Sequence, residues 1–174
     1  GPGPGTAVAT MAGAAANGDR FLGAAPDATL ASVVGLGTIG AISTYDNFDV
    51  VNASWGFPQL FRDDFTRPEF EQRGAEIRDA AENGRDDLGT VMVFAAGNDF
   101  SRTGVFGFEK LGVDSANYHN FQNSRFTAPV AALNDEGTFN APESLAGFTT
   151  PGAPVLVSAP GTQVVTAALT GDIV

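Results

Sequence analysis

The chain has 174 residues, 43% of them hydrophobic and 17% charged, which is the composition of a globular domain with a sizeable core and excludes a disordered segment. Its formal net charge of -11 opposes nucleic acid and anionic membrane as partners, since both would be repelled. There is no cysteine, so disulfide and thiolate chemistry are excluded, and no apolar run reaches bilayer length and no signal peptide is legible.

The opening GPGPG reads as a linker, with residues 1–3 as added sequence. Thr6 to Asn17 is alanine-rich and predicts a helix. After a proline-containing turn, Ala28 to Val34 predicts a strand. Gly37 to Tyr45 predicts a short helix, and Asp49 to Gly56 (DVVNASWG) a second strand. Phe57 to Arg67 reads as a loop holding Pro58 and the pair Asp63 and Asp64. Phe70 to Asn83 has apolar positions on one face and Glu/Arg pairs at helical spacing, so it predicts an amphipathic helix. Thr90 to Ala96 predicts a strand, Asp99 to Asn123 a long loop, and Phe126 to Leu133 a further strand. Pro154 to Ser158 and Thr162 to Ala167 read as a hairpin-like pair. Strands alternating with helices predict an α/β fold with a mostly parallel sheet covered on both faces. With no repeat and no internal boundary, residues 1–174 read as one domain.

GLGTIG, Gly35 to Gly40, matches the dinucleotide fingerprint G-x-G-x-x-G. That chemistry also needs an acidic residue ending the next strand to hold a ribose, and DVVNASWG ends in Ala, Ser, Trp and Gly. A turn in a glycine-rich chain accounts for the match, and nucleotide binding is the weakest of the functional readings.

GTVMVFAAGND, Gly89 to Asp99, carries more. A buried strand empties into two small residues, a glycine and an asparagine, at the sheet edge where open α/β folds bind ligands. Ala95, Ala96 and Gly97 leave room for a substrate to approach the backbone, and Asn98 offers an amide donor beside it. Taken alone, such an asparagine is a common turn former.

Six segments in order sharpen that reading: PGTAVATMAG, FLGAAPDATL, DVVNASWG, VMVFAAGND, NSRFTAPVAAL and VLVSAPG. The series resembles the catalytic domain of the subtilisin-like serine proteases, the subtilases. SWG at Ser54 to Gly56, GRDDLGTVMVFAAGN at Gly84 to Asn98 and DSANYHNFQNSRFT at Asp114 to Thr127 resemble the kexin/furin-like branch. The resemblance implies a three-layer α/β fold and peptide-bond hydrolysis of a peptide or protein substrate. It implies Asn98 as the side-chain oxyanion donor, Ser54, Trp55 and Gly56 as the strand edge that pairs with an extended peptide, and Ala95, Ala96 and Gly97 as the facing pocket wall. It also implies a calcium ion beneath the pocket, with Asp114 and Glu143 at two ligand positions and Gln59 at a third that is acidic in the family. The acidic group that selects basic residues in that branch falls near His119.

The same resemblance exposes departures. Pro4 stands where the family has its catalytic histidine, and proline cannot act as a base. The aspartate strand and the nucleophile segment fall outside residues 1–174, so the fold is expected without its first strand and its nucleophile helix. His119, the sole histidine, matches no triad position and reads as a surface or loop packing residue. The expectation is a protease-family domain inactive by itself, with a catalytically dead binding or scaffold module as the alternative. A sheet lacking a strand is further expected to self-associate through unpaired edges. The acidic, cysteine-free composition points to a secreted, bacterial protein.

Overall fold

The computed structural model describes residues 4–16, 22–57, 59–99, 114–134, 148–162 and 164–166. Its contacts divide the chain into two compact units, Gly1–Val34 with Gln163–Val174, and Gly35–Thr162.

In the first unit, helix α1 spans Pro4–Gly13. The chain returns onto its end, with Gly23, Ala24 and Ala25 N–H groups donating to the carbonyls of Ala14, Met11 and Ala12. Those bonds satisfy carbonyls that a helix C-terminus otherwise leaves open. Ala28 to Val34, expected as a strand, is irregular instead. Leu30 and Val34 are 49% and 89% exposed, so the apolar run finds neither a buried face nor, among the described residues, a ladder partner.

The second unit holds the sheet. The glycine motif forms a turn, with Gly35 and Gly37 at φ of 94° and 70°, leading into a four-residue helix α2, Ile39–Ile42. Thr38 caps it, its hydroxyl accepting from Ala41 N–H at 3.3 Å. Strand β1 is Val50–Ala53, helix α3 is Pro68–Asp87, and β2 is Val91–Ala95. Strands β3, Ala128–Leu133, and β4, Val157–Pro160, complete a four-stranded sheet in the order β1-β2-β3-β4. Every adjacent pair is parallel, with Val51 opposite Met92, Phe94 opposite Pro129, and Val130 opposite Val157.

One correction follows at the C-terminal end. The expected hairpin-like pair is replaced by β4 lying parallel to β3, and residues 162 and 164–166 form no strand. Gly161 turns the chain away: its N–H donates to Leu133 O, and a Cβ there would lie 2.4 Å from Ala132 Cβ.

Period-two alternation puts Val51, Ala53, Met92, Phe94, Pro129 and Ala131 on the buried face. An aromatic cluster fills the core around Phe94. Phe121 stacks on it with centroids 5.8 Å apart, Trp55 meets both edge-on, and Phe57 links the cluster to Phe70 of α3. Each fully buried ring contributes about 1.5–3 kcal/mol, so this cluster fixes the segments that carry it. Helix α3 turns Phe70, Ile77 and Ala80 inward, and its regular geometry breaks at Gly84 to Asp86. There Gly84 closes on Thr90, whose hydroxyl donates to Phe48 O at 2.8 Å and thereby sets the start of β2.

Candidate active site

Parallel pairing brings the C-terminal ends of β1 and β2 side by side, and a cavity of about 170 Å³ opens there. Ser54, Trp55 and Gly56 form one side as the chain leaves β1. Ala95, Ala96, Gly97 and Asn98 form the other as it leaves β2. All seven cleft residues named from the sequence therefore line one cavity, whose lining continues through Asp99, Asp114, His119, Gln122 and Thr150. Asn98 and Gly56 lie exposed at its rim, while Ala96 is buried.

The turn after β2 is held from several directions. Ala96 N–H donates to Val130 O at 3.0 Å, extending the ladder by one residue. Gln122 donates its amide to Ala95 O at 3.1 Å. Gly97 sits at φ 117°, a conformation side chains rarely adopt, and a Cβ on it would lie 2.7 Å from Thr150 Oγ1. Thr150 closes the turn by donating N–H to Gly97 O at 2.9 Å and accepting Asp99 N–H on its hydroxyl at 3.1 Å. On the facing side, Asn52 donates to Ser54 Oγ at 2.8 Å.

The floor of the cavity departs from expectation. His119 lies in a loop but is only 5% exposed, between two buried carboxylates. Its Nε2 is 3.1 and 3.2 Å from the oxygens of Asp114, and its Nδ1 is 3.5 Å from Asp63 Oδ1. With both ring nitrogens facing carboxylate oxygens, only the doubly protonated ring presents an N–H to each, as a hydrogen bond to Asp114 and an ion pair with Asp63. Burial works against that charge, yet hydrogen bonding to Asp114 and then Asp63, with their negative charges, outweighs it and raises the imidazole pKa to about 9.

The other residues named from the sequence do not line this cavity among the described residues of its unit. Pro4 is the first residue of α1 in the other unit. Gln59 is exposed on the loop after β1, and Glu143 lies outside the described residues. Asp63, Gln122 and Thr150 were not singled out as site residues from the sequence. Their partners come from distant segments, and only the buried pairing of the sole histidine leads to Asp63.

A family model for subtilases matches residues 2–172. No curated protein matches the sequence. Among solved structures, sphericase is 19% identical, covering 99% of this chain and 57% of that one, with a TM-score of 0.67. The S41 psychrophilic protease is 20% identical over 98% of this chain and 56% of its own, with a TM-score of 0.64. MycP1 with its N-terminal propeptide removed is 20% identical over 97% and 56%, with a TM-score of 0.62. At such identities the likeness concerns the fold, and this chain spans little more than half of each neighbour.

Proposed function

Because the chain belongs to the subtilase family, we propose that it supplies the substrate cleft and one oxyanion donor of a subtilisin-like serine endopeptidase. The observation that carries this is the meeting of Ser54–Gly56 and Ala95–Asn98 around one cavity at the ends of two parallel strands. An extended peptide would add to the edge at Ser54–Gly56, with a side chain directed between Trp55 and Ala96. Asn98, at the rim, would donate to the oxyanion formed as a serine attacks the scissile carbonyl.

Residues 1–174 on their own would not hydrolyse peptides. Hydrolysis needs a histidine free to take a proton from the nucleophile. The single histidine has both ring nitrogens turned to carboxylates beneath the cavity, and Pro4 cannot serve as a base. Proteolysis would then belong to a whole protein in which this chain is the cleft-bearing part. The kexin/furin-like assignment rests on SWG, GRDDLGTVMVFAAGN and DSANYHNFQNSRFT. Secretion rests on the acidic, cysteine-free composition, and no helix among the described residues is long and apolar enough to cross a membrane.

A fluorophosphonate probe tests the reading. It should label a serine in the longer parent protein, with loss of peptide hydrolysis, and leave residues 1–174 unlabelled. Labelling of a serine within 1–174 would sink the proposed division of labour. Absence of any labelling in the parent would favour a binding or scaffold module.

A further inference from the structure

Beneath the cleft, two segments are clipped together by hydrogen bonds. Phe61 N–H donates to Tyr118 O, Phe65 N–H to Asn120 Oδ1, and Phe121 N–H to Asp63 Oδ2 at 3.1, 3.2 and 2.9 Å. Asp63, 1% exposed, is thereby held beside Phe121, and Asp114 is buried as deeply at 2% exposed. Two carboxylates so buried need compensating positive charge. The family resemblance supplies calcium for this region, an ion that takes 6–8 oxygen ligands.

The described residues do not fit that ion. Both oxygens of Asp114 face His119 Nε2, and Oδ1 also accepts Ser115 N–H at 2.8 Å. Asp63 turns Oδ1 to His119 Nδ1 at 3.5 Å, an ion-pair contact, while its Oδ2 accepts Phe121 N–H. Among the described residues no group of three or more His, Cys, Asp or Glu is arranged to hold a metal. The imidazole ring stands between the carboxylates.

We propose that His119 is a built-in cation of the cleft floor, bridging Asp114 and Asp63, and that this chain holds its pocket without calcium. The bridge ties the loop after β1, which carries one cleft wall, to the segment bearing Gln122, which anchors the other through Ala95 O. The inference concerns the architecture of the pocket and is independent of whether the whole protein cleaves peptides.

Thermal unfolding of residues 1–174 in excess magnesium, with calcium added or removed by a calcium-selective chelator, is the direct test. Magnesium throughout screens the net charge of -11, so any remaining shift reports a specific calcium site. The expected result is one melting temperature under both conditions, and a drop on chelation overturns the proposal. His119→Ala should lower the melting temperature by about 10 °C, the effect of leaving buried charges uncompensated. Adding Asp114→Asn to that variant should recover part of the loss, because one uncompensated charge is removed. A His119→Ala protein that melts like the parent, or strictly additive losses in the double variant, would overturn the bridge. If His119→Ala does not fold, the calcium comparison on the unaltered chain decides.

Discussion

His119 and Asp114 face one another across the floor of the cleft, Nε2 lying 3.1 and 3.2 Å from the two carboxylate oxygens. Proximity on this scale sets a pH dependence whose sign is definite. The folded-state imidazole is raised from 6.5 to about 9, so its stabilisation is fully present below pH 6.5 and is lost as pH rises through about 9. Over that window stability should decline with a slope of up to about 1.4 kcal/mol per pH unit for the one proton involved. Denaturant titrations at pH 6 and above should show the decline, and His119→Ala should flatten it. The chain has one histidine, so its ring resonances are unambiguous. Nitrogen NMR at neutral pH should show both nitrogens protonated; a single neutral tautomer would refute the pairing.

Thr150 should matter to the cleft more than its position in a loop suggests. It is 1% exposed, and its hydroxyl accepts the Asp99 N–H that closes the turn after β2. Thr150→Val keeps the shape and removes the acceptor, at an expected cost of about 1 kcal/mol for a half-buried N–H that loses this bond. Amide exchange at Asp99 should accelerate in that variant, and Thr150→Ser should restore protection. Unchanged exchange at Asp99 would mean the turn is held by other contacts.

The second face of the sheet yields a separate expectation. Val50 and Val91 are 60% and 50% exposed and pair in register, so two apolar side chains stand together on β1 and β2. We propose that copies of the chain associate through this face and the β1 edge beside it. Sedimentation velocity should show concentration-dependent growth in size, abolished by Val50→Lys with Val91→Lys. A monomer at every concentration would dismiss the idea.

These relationships differ in how far the sequence discloses them. VMVFA is a strand in any reading because its β-branched and aromatic run has no competing periodicity, and Asn98 follows because it sits where that run stops. Ala28 to Val34 has the same local appearance and forms no strand, since a run of apolar residues does not reveal whether a partner strand is at hand. The parallel placement of β4 was hidden for the same reason. His119 shows the limit most clearly. Its role depends on Asp63, which approaches from the loop after β1 through the backbone pairing of Phe61 N–H with Tyr118 O and the bond from Phe121 N–H to the Asp63 carboxylate. Spacing along the chain carries no trace of that meeting, whereas Ser54 and Asn98 come together simply because β1 and β2 pair in parallel.

Asn98 offers the decisive kinetic prediction. It is exposed at the rim of the cavity, after a turn in which Gly97 at φ 117° leaves no room for a side chain. A donor placed there meets charge that exists only once the carbonyl has been attacked, so its contribution appears in the transition state and not in substrate binding. On the proposed function, in a peptide-hydrolysing protein that contains this chain, Asn98→Ala should lower kcat by about 10²–10³-fold, some 2.7–4 kcal/mol, with KM nearly unchanged. The exposed amide bears little on packing, so the melting temperature of the variant should stay close to that of the parent. A rise in KM at constant kcat would assign Asn98 to substrate binding and remove it from the oxyanion site. Equal losses of stability and activity would instead make it a turn residue, the role an asparagine after a strand has by default.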